Sequence, residues 1–242
     1  MKEGGAVCCE HIDPIFHFTE EYDYGEVIMG DKKINNKIMR ILCMLIGNIV
    51  IGLGVACMRL AAFGTDPFSC MNIGVSSHLP ISYGTYQAIV NIVLFIPVII
   101  LKPRSFGVGA LVNMLGLGYI VDGFMWVFQM CGVTIEAISP FYIGRGGILI
   151  AGILFLSLGV ALYMNSDLGV APYDMIAQIV DDLTHGKMPF KWARIMLDCI
   201  SILIGFISGG TFGVATFVVG FFTGPLVSAF RKLTEPWFVQ KQ

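Results

Sequence analysis

The chain has 242 residues, of which 56% are hydrophobic and 13% charged, with a mean hydropathy of +0.78. That is more apolar surface than one water-soluble core can hide, which excludes an ordinary soluble domain and makes the bilayer the expected solvent. A net charge of −2 lacks the strongly basic surface that nucleic-acid binding requires.

In chain order, residues 1–36 are polar and mixed in charge and lack a continuous apolar run, so no cleavable signal peptide is expected and the first span carries the targeting. Cys8 and Cys9, with His11 nearby, fit no standard zinc spacing; no metal and no cofactor are expected. The seven cysteines are odd in number and mostly sit in hydrophobic segments, which reads as small apolar residues rather than a disulfide framework. Uncharged stretches run from Pro67 to Leu101, Gly146 to Ser166 and Cys199 to Phe230. About 20 apolar residues are enough for one helix to cross. Breaking these runs at turn signals predicts an all-α membrane protein with six spans, at 38–61, 82–101, 105–130, 143–164, 189–208 and 211–230. Two shorter segments, 67–77 and 172–183, would each be only about 16–18 Å long as helices, too short to cross.

The chain repeats itself. Leu53-Gly54-Val55-Ala56 falls on Leu158-Gly159-Val160-Ala161, Gly64 on Gly169, Pro67 on Pro172 and Phe68 on Tyr173. Further on, Ser105-Phe106-Gly107-Val108 falls on Thr211-Phe212-Gly213-Val214, Gly118 on Gly224 and Phe124 on Phe230. The predicted organisation is a polar tail over 1–36, a three-helix repeat over 37–131, a second over 142–232 and a tail over 233–242. Each repeat carries one short broken or re-entrant helix. An odd number of crossings per repeat inverts the second relative to the first. Basic residues agree: Lys32, Lys33, Lys37 and Arg40, then Lys102 and Arg104, then Lys187, Lys191 and Arg194, then Arg231, Lys232 and Lys241 all fall on one side of a six-span chain. The positive-inside rule makes that side, and both termini, cytoplasmic.

The short segments are the expected site. Thr65 or Asp66 suits an N-cap and Pro67 the first helical position, where a missing N–H costs nothing. Asp167 to Asp174 opens the same way, with Pro172 at its first turn. In repeat-built transporters, Gly/Pro-interrupted segments at matching positions point to the substrate. The substrate-binding set read from the sequence is Arg59, Thr65, Asp66, Pro67, Ser69, Asn91, Asn165, Asp167, Pro172, Tyr173, Asp174, Arg194 and Asp198. Each has a plainer reading. Asp66 and Asp174 also suit capping of surface helices. Arg59 could pair with Asp66, hold an anion or snorkel. Arg194 and Asp198, four apart, could neutralise each other. Asn91 stands at the depth of Asp198 in its own half, and Asn48 and Asp122 read as hydrogen bonds between helices.

The stretches GLGVACMRLAAFGTDPFSCMNIGVS and SLGVALYMNSDLGVAPYDMIAQIV, with FGVGALVNMLGLGYIVDGF and FGVATFVVGFFTGPLVSAF, resemble the bacterial YczE/YitT-like integral membrane proteins over residues 38–232. The resemblance implies a multi-span protein of the bacterial cytoplasmic membrane, with looser similarity to small-molecule exporters, and brings no set of catalytic residues. No Walker loop, H-E-x-x-H or G-x-S-x-G is present, so an enzyme is not expected. The expected activity is secondary transport of a small organic solute, coupled to a proton or sodium ion if to any, with membrane lipid around it. The alternative is a non-transporting accessory or regulatory protein for a biosynthetic or signalling partner. Substrate, direction and oligomeric state are not legible.

Overall fold

The computed structural model describes residues 37–102, 107–138, 142–169 and 171–235. The expected tails over 1–36, with Cys8, Cys9 and His11, and from 236 onward lie outside the described residues. The described residues are helical and contain no strand. The helices are α1 (Lys37–Ala61), α2 (Pro67–Ser76), α3 (Tyr83–Leu101), α4 (Val108–Met130), α5 (Ile135–Ile138), α6 (Tyr142–Asn165), α7 (Pro172–Leu183), α8 (Phe190–Ile207) and α9 (Val214–Thr234). The six expected spans fall on α1, α3, α4, α6, α8 and α9, and the two short segments on α2 and α7. Four helices, α1, α3, α4 and α6, are long and apolar enough to cross a bilayer. Helix α8 carries Lys191, Arg194 and Asp198 within its eighteen residues, and α9 is interrupted by Pro225 and closes on Arg231 and Lys232.

Polarity is arranged as lipid demands. Ile100, Ile143 and Ile207 are 71%, 93% and 75% exposed, while Asn48, Thr65, Ser69, Asn72, Gln87 and Asn91 are buried. Lipid offers polar groups no partner, so they turn inward and the apolar ones outward.

Helices α1 and α6 form the centre and cross antiparallel. Since lipid tails are as apolar as leucine, close approach of small residues holds such a pair together. A Cβ on Gly54 would lie 2.5 Å from Leu156 N and 2.8 Å from Gly152 O. One on Gly159 would lie 2.6 Å from Ile51 N and 2.8 Å from Gly47 O. In the sequence alignment of the two stretches Gly47 falls on Gly152 and Gly54 on Gly159, and in the structure Gly47 packs on Gly159 and Gly54 on Gly152. Met44, Ile51, Val55 and Met58 of α1, with Ile153, Leu156 and Tyr163 of α6, extend this contact into the main core.

The same exchange recurs at the ends of both helices. Arg145 donates from Nε to Ala61 O at 2.9 Å and from Nη2 to Ala62 O at 3.2 Å. Arg40 donates from Nε to Ser166 O at 2.8 Å and from Nη2 to Asp167 O at 2.9 Å. Each guanidinium fork thus takes two carbonyls that a helix C-terminus would leave without partners. Ala62 and Asp167, with φ of 54° and 52°, hold the left-handed position that usually ends a helix on glycine. Beyond them, Ala215 N donates to Phe63 O at 3.0 Å and Gly109 N to Leu168 O at 2.8 Å, another matched pair.

Away from the centre, α4 lies on α1 as α9 lies on α6, and α8 packs on α2 as α3 packs on α7. One relation breaks the pattern: α3 lies along α4, whereas α8 hardly touches α9.

Candidate functional site

Both short helices begin at proline because the preceding stretch leaves α1 or α6 through a left-handed residue and then a glycine, Gly64 with φ 118° or Gly169 with φ 115°. Such a backbone conformation is costly for any side chain larger than hydrogen.

At the start of α2, Asp66 is the N-cap: its Oδ1 accepts from Ser69 N at 3.0 Å. Thr65 N donates to Thr211 O at 3.2 Å. Tyr83, opening α3, donates from its hydroxyl to Ser69 Oγ at 3.2 Å. The Arg59 guanidinium lies 4.8 Å from the Tyr83 ring centroid, and its Nη1 is 3.6 Å from Asp122 Oδ1 on α4. Asp122 Oδ2 also accepts from Gly84 N at 2.7 Å. Arg59 therefore pairs with Asp122 rather than with Asp66, whose Oδ1 is used by the cap. That ion pair is too long for a hydrogen bond and leaves the buried Nη1 without an acceptor.

At the start of α7 the chemistry is denser. Ala171 offers no side-chain cap, so Asp174 does not finish the helix; it forms an ion pair with Arg194. Arg194 Nε is 3.4 Å from Asp198 Oδ1, and its guanidinium stands 4.6 Å from the Tyr173 ring centroid. The Tyr173 hydroxyl donates to Asp198 Oδ1 at 2.9 Å and lies 3.0 Å from Ser201 Oγ. Arg194 and Asp198 do share a face of α8, but Asp174 competes for the same guanidinium.

The two starts meet. Phe68 and Tyr173, each the residue after its proline, have ring centroids 4.7 Å apart, and Pro67 and Pro172 are both buried. Asp66 lies within electrostatic reach of Asp198 and Arg194 across this contact. Ten of the expected residues gather here: Arg59, Thr65, Asp66, Pro67, Ser69, Pro172, Tyr173, Asp174, Arg194 and Asp198.

Three do not. Asn91 donates to Met114 O at 3.2 Å and so ties α3 to α4. Asn165 binds Arg231 O at 3.1 Å and Thr234 Oγ1 at 2.9 Å, joining the ends of α6 and α9. Asp167, 60% exposed, pairs with Arg40 at 3.1 Å. A polar group near a helix end is satisfied by whichever neighbour the fold supplies, and that neighbour is not local in sequence. Asn48, expected to bond a neighbouring helix, accepts from Asn113 Nδ2 at 2.7 Å.

Tyr83 belongs to this region and was not among the residues expected there, and Asn72 and Gln87 are further buried polar residues on the same two helices. Their signal is a buried polar stripe: Ser69, Asn72 and Ser76 on α2, and Tyr83, Gln87 and Asn91 on α3, recur at helical spacing. Among the described residues, Thr65 Oγ1, Asp66 Oδ2, both ends of the Asn72 amide and Gln87 Oε1 are buried without a hydrogen-bond partner.

Apolar outer faces, polar interior stripes and four bilayer-length helices define an integral membrane protein. The chain belongs to a family of unknown function, DUF6198, whose model matches residues 38–232. It is 22% identical over 197 residues to YyaS, an uncharacterised protein of Bacillus subtilis, covering 81% of this chain and 94% of that one. It is 23% identical over 180 residues to YczE, an uncharacterised membrane protein of the same organism, covering 74% and 79%. An uncharacterised protein of Haemophilus influenzae is 23% identical over 186 residues, covering 76% and 79%. These similarities agree with the YczE-like resemblance read from the sequence. No solved structure matches.

Proposed function

We propose that the protein is a secondary transporter of a small organic solute, in which two inverted three-span halves alternate around the junction of α2 and α7. One observation carries this reading: the two interrupted segments, at matching positions of the repeat, meet at Phe68 and Tyr173 amid charged side chains. Broken helices survive in lipid only where protein or a polar cavity receives their backbone groups, and in repeat-built transporters that place is the binding site.

The inverted arrangement is supported by the antiparallel crossing of α1 and α6, whose glycines and terminal arginines exchange places between repeats. In this reading α8 and α9 are the fifth and sixth crossings, both termini are cytoplasmic, and the membrane is the bacterial cytoplasmic membrane. The unequal packing of α3 on α4 and of α8 on α9 is the kind of difference that the two halves would exchange as access alternates. A proton or sodium gradient is the driving force; no cofactor and no enzymatic step are invoked.

The test is flux in proteoliposomes, with and without each gradient, of solutes that raise the melting temperature of the purified protein. Asp66→Asn and Asp174→Asn are expected to lower flux without lowering insertion. Unchanged flux in both variants would remove these carboxylates from the mechanism. Absence of any stabilising solute and of any flux would favour the accessory role.

A further inference from the structure

The charges at the junction do not balance. Arg59 and Arg194 stand against Asp66, Asp122, Asp174 and Asp198. Asp122 takes Arg59, and Asp174 shares Arg194 with Asp198. Asp66 has no ion-pair partner among the described residues; its Oδ1 is engaged by Ser69 N, while its Oδ2 is buried and has no partner. A lone carboxylate in a low-dielectric interior is strongly unfavourable, and it is relieved either by a proton or by a cation that its neighbours help to hold.

A second observation is independent of charge. Thr65 is fully buried, at 0% exposure, and its hydroxyl has no partner among the described residues. Thr211, whose carbonyl accepts from Thr65 N at 3.2 Å, also has a buried hydroxyl without one. The donors are oxygens, the choice of hard cations rather than of soft metals.

We infer that this corner binds one monovalent cation, with Asp66 as its charged ligand and Thr65 and Thr211 as neutral oxygen donors. The cation is a sodium ion or the ammonium group of an amine solute, since both present the same charge to the same oxygens. The inference rests on the transporter reading for its purpose, but its binding is measurable without flux.

The experiment is thermal unfolding of the full chain in detergent at constant ionic strength, titrated with sodium chloride or ethylammonium chloride against N-methyl-D-glucamine chloride, whose cation is too bulky for the site. The expected result is a saturable rise in Tm with one of the two, roughly 3–6 °C at tenfold the half-saturating concentration. A rise with sodium identifies a coupling ion; a rise with ethylammonium identifies the solute's own charge. Asp66→Asn, which keeps an N-cap acceptor, should abolish the rise. If that variant does not fold, Thr65→Val and Thr211→Val are read instead and should each weaken half-saturation about tenfold, the loss of one ligand-sized interaction. No rise with either cation, or a rise unchanged in the variants, overturns the site. Cation binding without flux leaves the site standing and sinks the transporter; flux without cation binding does the reverse.

Discussion

Around α7, the side chains of Asp174, Arg194, Asp198, Tyr173 and Ser201 satisfy one another; on α3 and around α2, those of Gln87, Asp66, Thr65 and Asn72 keep buried atoms without partners among the described residues. The contrast is residue for residue. Ser69 stands where Asp174 stands, two places after the proline, and Gln87 and Asn91 are the fifth and ninth residues of α3 as Arg194 and Asp198 are of α8. A charged triad in one half is thus a neutral trio in the other. The glycine contacts and arginine clamps correspond between the two stretches, while the side chains at these positions differ. One set of polar side chains is satisfied internally, and the other keeps buried atoms without partners among the described residues.

The scaffold should fail first when its closest contacts are filled. Gly54→Leu or Gly159→Leu forces a side chain into opposing backbone 2.5–2.6 Å away, and should cost at least about 3 kcal/mol, read as loss of monodisperse protein. Gly123→Ala, which meets nothing within 4 Å in the interior of α4, should leave Tm unchanged or slightly raised. Equal tolerance of both would refute close packing of α1 on α6.

The internally satisfied set comes next. Arg194→Gln leaves Asp174 and Asp198 facing each other and should lower stability by about 1–2 kcal/mol, a value reduced for solvent access because about a third of the arginine side chain is exposed. Combining Asp174→Ser, Arg194→Gln and Asp198→Asn reproduces the neutral trio and should restore most of that loss. A triple variant less stable than the single one would contradict the view that the triad is self-contained.

Smaller still, Arg40→Ala and Arg145→Ala each remove two bonds to helix-end carbonyls. Each should cost about 1–2 kcal/mol, and by similar amounts if the halves are equivalent there. The smallest effect is a gain: Ala62→Gly relieves a left-handed alanine and should stabilise by about 0.5–1 kcal/mol. A loss of stability would show that the alanine methyl makes a contact worth more than the strain.

Much of this frame was legible in the sequence, because hydropathy, glycine and proline are read locally. The prolines start α2 and α7 within the residues expected, and Asp66 is the cap that its position before Pro67 announced. The register that placed Gly54 on Gly159 also places Gly47 on Gly152 and Arg40 on Arg145, so the central crossing was within reach of the same alignment. Partner choice was not. Arg59 meets Asp122 because α1 packs on α4, and Asp174 meets Arg194 because α7 packs on α8. Asn165 and Asp167 lie close in sequence to the second interrupted segment yet bind α9 and α1, since the chain turns away from them before Pro172. Neighbourhood in a helical bundle is set by packing of whole faces, which no short stretch records.

The account turns on the two helix starts meeting. In a cysteine-free background, Phe68→Cys with Tyr173→Cys in native membranes should be joined rapidly by a short bifunctional thiol reagent, while Phe68→Cys with Cys restored at 131, on the far end of α4, should not. Failure of the first pair to cross-link, with both thiols labelled by a lipid-soluble maleimide, would mean that α2 and α7 do not converge.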